Sequence, residues 1–480
     1  MILPKDILKR YWGHSSFRNL QEEIIEAVIS KKDVFTLLPT GAGKSLCYQI
    51  PALSKEGICL VISPLISLMK DQIEQLERKG IKALTIESNT SVDQIVTLFD
   101  NLKYGKYKFL YLSPERLNSE FILNKIKQIQ VNLIAVDEAH CISEWGHDFR
   151  PSYRLIHKVR EIHPDVNVIA LTATATKKVA EDIIENLNLK GTAIFKKSFF
   201  RENLAYLVIE NENKIGKLEE IFKKNPHPTI IYVGSRRKTE EISNLINLRG
   251  YSSTFYHGGM TSESKSKSFN SWMKEEQLIM VATNAFGMGI DKSNVKIVVH
   301  LDLPASVENY VQEAGRAGRW DKNKSENKGK TGKCYVLYSP ETHDSERVER
   351  LFHKNTTFAE MKEISNEVGF GGRDIFKQVF LFTQGQNDID EDFKIILGVV
   401  NAYFKAETKV RIFWNDAYAK LRINNDTLQK AIYRLSLLGI VSDWTTNFID
   451  HFEVQFKTQN ETNITKSVSN YITKYEPNTD

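Results

Sequence analysis

Cysteine is scarce in this chain. There are four in 480 residues, Cys47, Cys59, Cys141 and Cys334, and no two stand as a Cys-x-x-Cys pair. That spacing excludes a zinc ribbon and a dithiol redox motif. The apolar surroundings of Cys59 (Ile58, Leu60, Val61) and of Cys334 (Tyr335, Val336) read these thiols as small buried hydrophobes. Long apolar runs are missing too: none approaches the roughly 20 residues that a membrane helix needs, so no membrane partner is expected. Met1 to Tyr11 carries several charges and lacks the apolar core and small-residue cleavage site of a signal peptide, which predicts a cytosolic address. In that setting Asn-x-Ser/Thr triplets such as those at Asn89, Asn355, Asn425, Asn460 and Asn463 read as chance. A strong charge of one sign is also absent. Sixty-five Lys and Arg stand against 60 Asp and Glu, leaving +5, which permits phosphate-backbone binding without establishing it.

What is present is an ordinary globular composition, 41% hydrophobic and 26% charged, on a chain too long for one core. Short Val/Ile/Leu-rich runs alternate with helical patterns through the first 340 residues. One set of strand candidates is Val34 to Leu38, Ile58 to Ser63, Phe109 to Leu112, Leu133 to Val136 and Val168 to Leu171. A second is Thr229 to Val233, Ser252 to Tyr256, Ile279 to Ala282, Ile297 to His300 and Cys334 to Tyr338. Runs without polar alternation fit strands buried on both faces of a parallel sheet, so the class is α/β. The spacing predicts one lobe over 1–203 and a second over 204–340, with Asp321 to Lys333 as a surface loop. A helical connector follows over 341–390. Over 391–480 two helices, a helix opened by Asn425-Asp426-Thr427, and the alternating Phe452-Glu-Val-Gln-Phe456 outline a winged helix with a polar tail.

Three motifs carry chemistry. Pro39-Thr40-Gly41-Ala42-Gly43-Lys44-Ser45 lies between a strand and a helix, the context of a phosphate-binding loop. Thr40, Gly41 and Gly43 let backbone N–H groups close on phosphates, Lys44 neutralises them, and Ser45 is a Mg²⁺ ligand. The general pattern has Gly where Leu38 stands. Asp137-Glu138-Ala139-His140 ends its own strand, placing Asp137 to hold Mg²⁺ and Glu138 to activate the attacking water. Gln312-Glu313-Ala314-Gly315-Arg316-Ala317-Gly318-Arg319, in the second lobe, supplies guanidiniums (Arg316, Arg319) for charge developing on a γ-phosphate. If the lobes face each other, these arginines meet the nucleotide when the cleft closes.

Motif for motif, residues 10–340 resemble the two-lobed motor core of RecQ DNA helicases within helicase superfamily two. The resemblance implies two tandem RecA-like lobes, ATP and Mg²⁺ as cofactors, and ATP-dependent 3′–5′ DNA helicase activity in repair and recombination. It carries an adenine-reading motif onto Arg18 and Gln21, with His14 where the family often has a stacking aromatic, and brings Gly289, Asp291 and Gln312 to the nucleotide from the second lobe. Ser63 and Pro64 fall in a strand-tracking motif, as does Ser113-Pro114-Glu115-Arg116. Leu171-Thr172-Ala173-Thr174-Ala175 matches the motif linking hydrolysis to DNA contact. Ser235, Arg236, Thr283 and Phe286 fall on DNA contacts of the second lobe.

The most specific likeness is Ser143-Glu144-Trp145-Gly146-His147-Asp148-Phe149-Arg150-Pro151, similar to the aromatic-rich loop that marks RecQ proteins, with Glu144 where the family has Gln. Trp145 and Phe149 beside a catalytic strand end suit base stacking, worth about 1–3 kcal/mol per base, and His147 and Arg150 would relay it to Glu138. Beyond residue 340 the likeness thins. No cysteine follows Cys334, so the family's four-cysteine zinc module lacks its ligands and no structural zinc is expected. The expected partners are single-stranded and forked or branched DNA, and the implied address is the cytoplasm, at a bacterial nucleoid. Two other classes share parts of the pattern. The Trp145 to Phe149 loop argues against an RNA helicase, and the full set Lys44, Asp137, Glu138, Arg316 and Arg319 argues against a DNA-binding switch with a dead motor.

Overall fold

Ile58-Cys59-Leu60-Val61-Ile62 has no polar residue to offer solvent, and all five are buried in one strand. The same logic builds both sheets of the first 340 residues. The computed structural model describes residues 2–18, 20–64, 66–87, 90–143, 149–224, 227–287, 292–319, 330–339, 342–368, 374–384, 389–405, 408–447, 450–457 and 469.

The first sheet has seven parallel strands: β1 Val34–Leu37, β2 Ile58–Ile62, β3 Ala83–Thr85, β4 Phe109–Leu112, β5 Val131–Val136, β6 Val168–Thr172 and β7 Ala193–Lys196, in the order β3-β4-β2-β5-β6-β1-β7. The second has six parallel strands: β8 Leu204–Glu210, β9 Thr229–Tyr232, β10 Ser253–Tyr256, β11 Ile279–Ala282, β12 Ile297–His300 and β13 Gly332–Tyr338, in the order β10-β11-β9-β12-β13-β8. Each sheet is covered on both faces by apolar side chains and helices, as parallel sheets require. The four cysteines are buried.

The strand that feeds the phosphate loop is pinned at its start. Asp33 is buried, takes both Arg160 terminal nitrogens at 2.9 and 2.7 Å, and accepts the Val168 and Lys190 N–H groups at 2.8 and 2.7 Å. One carboxylate thus aligns the starts of β1 and β6, a fork geometry of the stronger, charge-assisted kind.

The chain divides into two compact units, Met1–His353 with Val368–Gln378, and Lys354–Glu367 with Val379–Asp480. The connector expected over 341–390 is therefore shared between them. In the second unit β14 Lys409–Phe413, β15 Val441–Asn447 and β16 His451–Phe456 form an antiparallel sheet in the order β14-β16-β15. Its apolar positions pack on the helices Ile389–Tyr403, Trp414–Leu421 and Asn425–Leu437. β14 occupies part of the stretch read from sequence as two helices. The helix cap also moves by one residue: the Asn424 side chain, not Asn425, accepts from Thr427 N at 2.9 Å. Among the described residues no helix is long and apolar enough to cross a membrane.

Candidate active site

β1 ends against a loop that only glycine can form at two points. Gly41 and Gly43 adopt φ of 79° and 76°, and a Cβ on Gly43 would lie 2.5 Å from Gln21 Nε2. The turn leads into the helix Leu46–Ser54, whose positive N-terminal end favours anions. Gln21 braces this turn from behind. Its Oε1 accepts from Arg18 N at 2.9 Å, and its Nε2 donates to the Ala42 and Gly43 carbonyls at 3.0 and 3.1 Å. Arg18 Nη1 donates to Gly41 O at 3.1 Å. Gln21 is 1% exposed, and its amide is bonded at both ends, to Arg18 N and to the loop. His14 is exposed.

The carboxylates follow β5. Asp137 accepts from Glu138 N at 3.0 Å, and Tyr153 Oη donates to the Asp137 carbonyl at 2.9 Å. Burial pushes the Asp137 carboxyl up to about 7; the neighbouring Glu138 charge adds to this and Lys44 opposes it. Glu138 sits in the left-handed region at φ 46°, a strained conformation of the kind that active sites tolerate. Its Oε2 is buried without a hydrogen-bond partner, 3.4 Å from His140 Nδ1. His140 Nδ1 also lies 2.9 Å from Thr172 Oγ1, which bonds Thr174 O at 2.9 Å. The Asp-Glu-Ala-His turn is thus tied to the motif expected to link hydrolysis with DNA contact. Hard oxygen donors (Ser45, Asp137), a buried carboxylate pair and an orphaned Glu138 oxygen fit a Mg²⁺ ion with its water.

The second lobe meets this loop directly. Thr40 Oγ1 donates to the Gly315 carbonyl at 3.4 Å, and a Cβ on Gly41 would stand 3.9 Å from Arg319 Cγ. Arg319 Nε bonds Gly315 O at 3.2 Å, and Arg201 and Asn203 hold the same turn through Gly315 O and Gly318 O at 2.9 and 2.7 Å. Arg316 behaves differently. It is 3% exposed, and its guanidinium depresses the otherwise burial-raised Tyr232 phenol. Gln312 is half-buried on the helix Val307–Ala314.

Among the residues expected to track DNA, Arg150 joins two motifs: its N bonds Cys141 O at 2.8 Å and its Nη1 bonds Pro64 O at 2.9 Å. Phe149 is half-buried, with the Arg154 guanidinium 6.0 Å from its ring centroid. Ser63 is buried with an unbonded hydroxyl. Ser235 caps the helix Arg236–Leu248 by accepting from Lys238 N at 3.3 Å, and exposed Arg236 lies over Gly259. Thr283 is buried and accepts from Ala285 N at 3.4 Å. Phe286 corrects the sequence expectation. Its ring is 1% exposed, enclosed by Tyr256, Phe269 and Trp272, so it packs the second lobe and cannot stack on a base. Trp145, His147, Gly289 and Asp291 lie outside the described residues. Sequence reasoning missed Gln72, Tyr153, Arg201 and Asp302, whose roles arise only from contacts distant in the chain.

A phosphate loop and acidic strand end in one parallel-sheet lobe, met by arginines from a second such lobe, define a two-lobed helicase motor. The DEAD/DEAH box helicase family matches residues 18–183, and the helicase conserved C-terminal domain matches residues 213–321. The chain is 39% identical over 392 residues to the ATP-dependent DNA helicase RecQ of Bacillus subtilis, covering 80% of this chain and 65% of that protein. It is 35% identical over 408 residues to the probable ATP-dependent DNA helicase RecS of the same organism, covering 80% of each. Among solved structures, the DEAD-box helicase Mss116 bound to ssRNA has a TM-score of 0.57 at 15% identity, over 88% of this chain and 87% of that one, a likeness of fold. The chain belongs to the RecQ family of helicases. It spans from half to two thirds of the length of the RecQ proteins it matches.

Proposed function

We propose that this chain is an ATP-dependent DNA helicase, coupling hydrolysis to 3′–5′ translocation on single-stranded DNA and to unwinding of forked or branched duplexes in repair and recombination. The observation that carries it is the meeting of Thr40 with Gly315 and of Gly41 with Arg319, which places a phosphate loop and an arginine motif from different lobes side by side. In this reading Lys44 and the loop N–H groups bind the β- and γ-phosphates. Ser45 and Asp137 would hold Mg²⁺, which would supply positive charge to the phosphates. Glu138 orients the attacking water and takes its proton, while Arg319 stabilises charge developing on the γ-phosphate when the lobes close.

Strand engagement has a route to that chemistry. Arg150 bonds Pro64 on one side and Cys141, the residue after Asp-Glu-Ala-His, on the other, so movement at the strand-tracking motif is delivered close to Glu138. Trp145 and Phe149 supply the stacking surface in this reading. The test is ATP hydrolysis with DNA or RNA oligonucleotides, and unwinding of duplexes bearing a 3′ or a 5′ tail. DNA-stimulated hydrolysis with opening of the 3′-tailed substrate is expected. Preference for RNA, or opening from the 5′ tail alone, would overturn the proposal.

A further inference from the structure

Gln72 lies half-buried on the helix Ile66–Glu77, which follows Ser63 and Pro64. Its amide is fixed at both ends. Oε1 accepts from Tyr48 Oη at 2.6 Å and from Tyr111 Oη at 3.1 Å, while Nε2 donates to Ser45 Oγ at 3.2 Å. The two phenol oxygens are 3.2 Å apart. Both phenols are fully buried, and burial raises them well above their ordinary range, so both keep their protons. Two phenol protons need an acceptor, and the amide oxygen is the one at hand, which leaves the NH₂ for Ser45.

The consequence falls on the serine. With one lone pair of Ser45 Oγ taken by Gln72, the other lone pair and the proton have only the remaining directions, and the hydroxyl rotor is narrowed. Residues that orient a metal ligand from behind in this way typically matter about 10–100-fold to metal affinity or activity. Two residues before that helix begins, Pro64 O accepts from Arg150 Nη1 at 2.9 Å.

We propose that Gln72 is a positioning residue for the Ser45 hydroxyl, through which a DNA strand seated at Ser63 and Pro64 changes the affinity of the nucleotide site for Mg²⁺. This rests on the reading of Ser45 as a Mg²⁺ ligand and of Ser63-Pro64 as a strand contact. Gln72→Met keeps length and removes both polar ends. Binding of a fluorescent ADP analogue, followed in EDTA and then across a Mg²⁺ titration, reads the effect without turnover. In EDTA the variant should match the parent. Its half-saturating Mg²⁺ should rise about tenfold, and the shift that an oligonucleotide produces in the parent should be lost. At excess Mg²⁺ the maximal rate of hydrolysis should recover, which a merely structural lesion would not allow. Tyr111→Phe, which removes one anchor of the amide oxygen, should move the same way by a smaller factor and serves where Gln72→Met does not fold. An unchanged Mg²⁺ midpoint in a folded variant overturns the proposal, as does equal loss of nucleotide affinity in EDTA. If Ser45→Ala itself leaves the midpoint unmoved, it is the metal-ligand reading that fails.

Discussion

Arg319 of the second lobe lies along Gly41 of the phosphate loop, its Cγ 3.9 Å from where a Cβ on Gly41 would stand, while Arg316, three residues earlier, is buried beside Tyr232. The two arginines of one motif therefore have different surroundings. Arg319→Ala is expected to bind ATP with near-normal affinity and to turn over about a thousandfold more slowly, the lower end of what an arginine finger contributes. Arg316→Ala is expected to lower the melting temperature as well, because it empties a buried site and costs about 1–3 kcal/mol. Parallel measurement of nucleotide affinity, kcat and Tm in both variants checks the ranking. Equal kcat losses with equal Tm would remove the distinction.

Lys44→Ala and Glu138→Gln should abolish unwinding and leave DNA binding largely intact, since both residues serve phosphoryl transfer rather than strand contact. Losing either removes several kcal/mol of transition-state stabilisation, about three or more orders of magnitude in rate. Strand separation that persists in Glu138→Gln would reassign the base.

Much of this was legible in the chain. Val34 to Leu38 and Leu133 to Val136 are apolar runs ending in Thr40-Gly41-Ala42-Gly43-Lys44-Ser45 and in Asp137-Glu138, and they emerge as buried strands with those residues at their carboxyl ends. The strands missed are those at sheet edges: β3 is three residues long, and β7, β8 and β14 expose much of their length, so their patterns carry polar or partly exposed positions that an apolar-run criterion passes over. Motif likeness also cannot say which way a side chain turns. Phe286 sits in a matched segment yet points into the core, because Trp272 and Phe269 come from a helix that the motif does not include. Gln72 gave no local signal, since its partners Ser45, Tyr48 and Tyr111 lie on other elements.

Asp302 links the second lobe to the helix Asp374–Gln384. Its Oδ2 accepts from Gly234 N at 2.7 Å and faces Lys377 Nζ at 3.2 Å, and its Oδ1 pairs with Lys238. Burial raises its carboxyl, but Lys238, Lys377 and the Gly234 N–H together outweigh this and hold it at about 2. A carboxylate depressed in the folded state stabilises the fold above its unfolded value near 4, and that contribution is lost as pH falls from about 4 toward 2. A shift of this size is worth about 2–3 kcal/mol. Asp302→Asn should lose that much at pH 7 and flatten the acid limb of the stability curve between about pH 4 and 2. Thermal unfolding across pH measures it, and a parallel displacement of the whole curve would show that the charge is not the source.

The remaining prediction concerns zinc. A structural zinc site needs four ligands at close spacing, commonly with several thiolates. Here all four thiols lie inside the motor lobes, Cys47 and Cys59 in one core layer, Cys141 in another and Cys334 in the second lobe. After residue 340 the candidate ligands of comparable softness are His343, His353 and His451, and no pair has His-x₃₋₅-His spacing. His451 is buried, bonded to Asp450 at 2.7 Å and packed on Phe413. Apolar contacts must then do in this region what a metal would do elsewhere. Leu351 and Ile364 are buried, whereas Phe352 is 70% exposed, so not every apolar position of the stretch contributes. Zinc-dependent modules unfold when the metal is stripped. This protein should carry no stoichiometric zinc by elemental analysis, and its melting curve should be the same with and without a strong chelator. About one zinc per chain, with loss of folding on chelation, would mean that the region after residue 340 is held together by a site whose ligands have not been recognised.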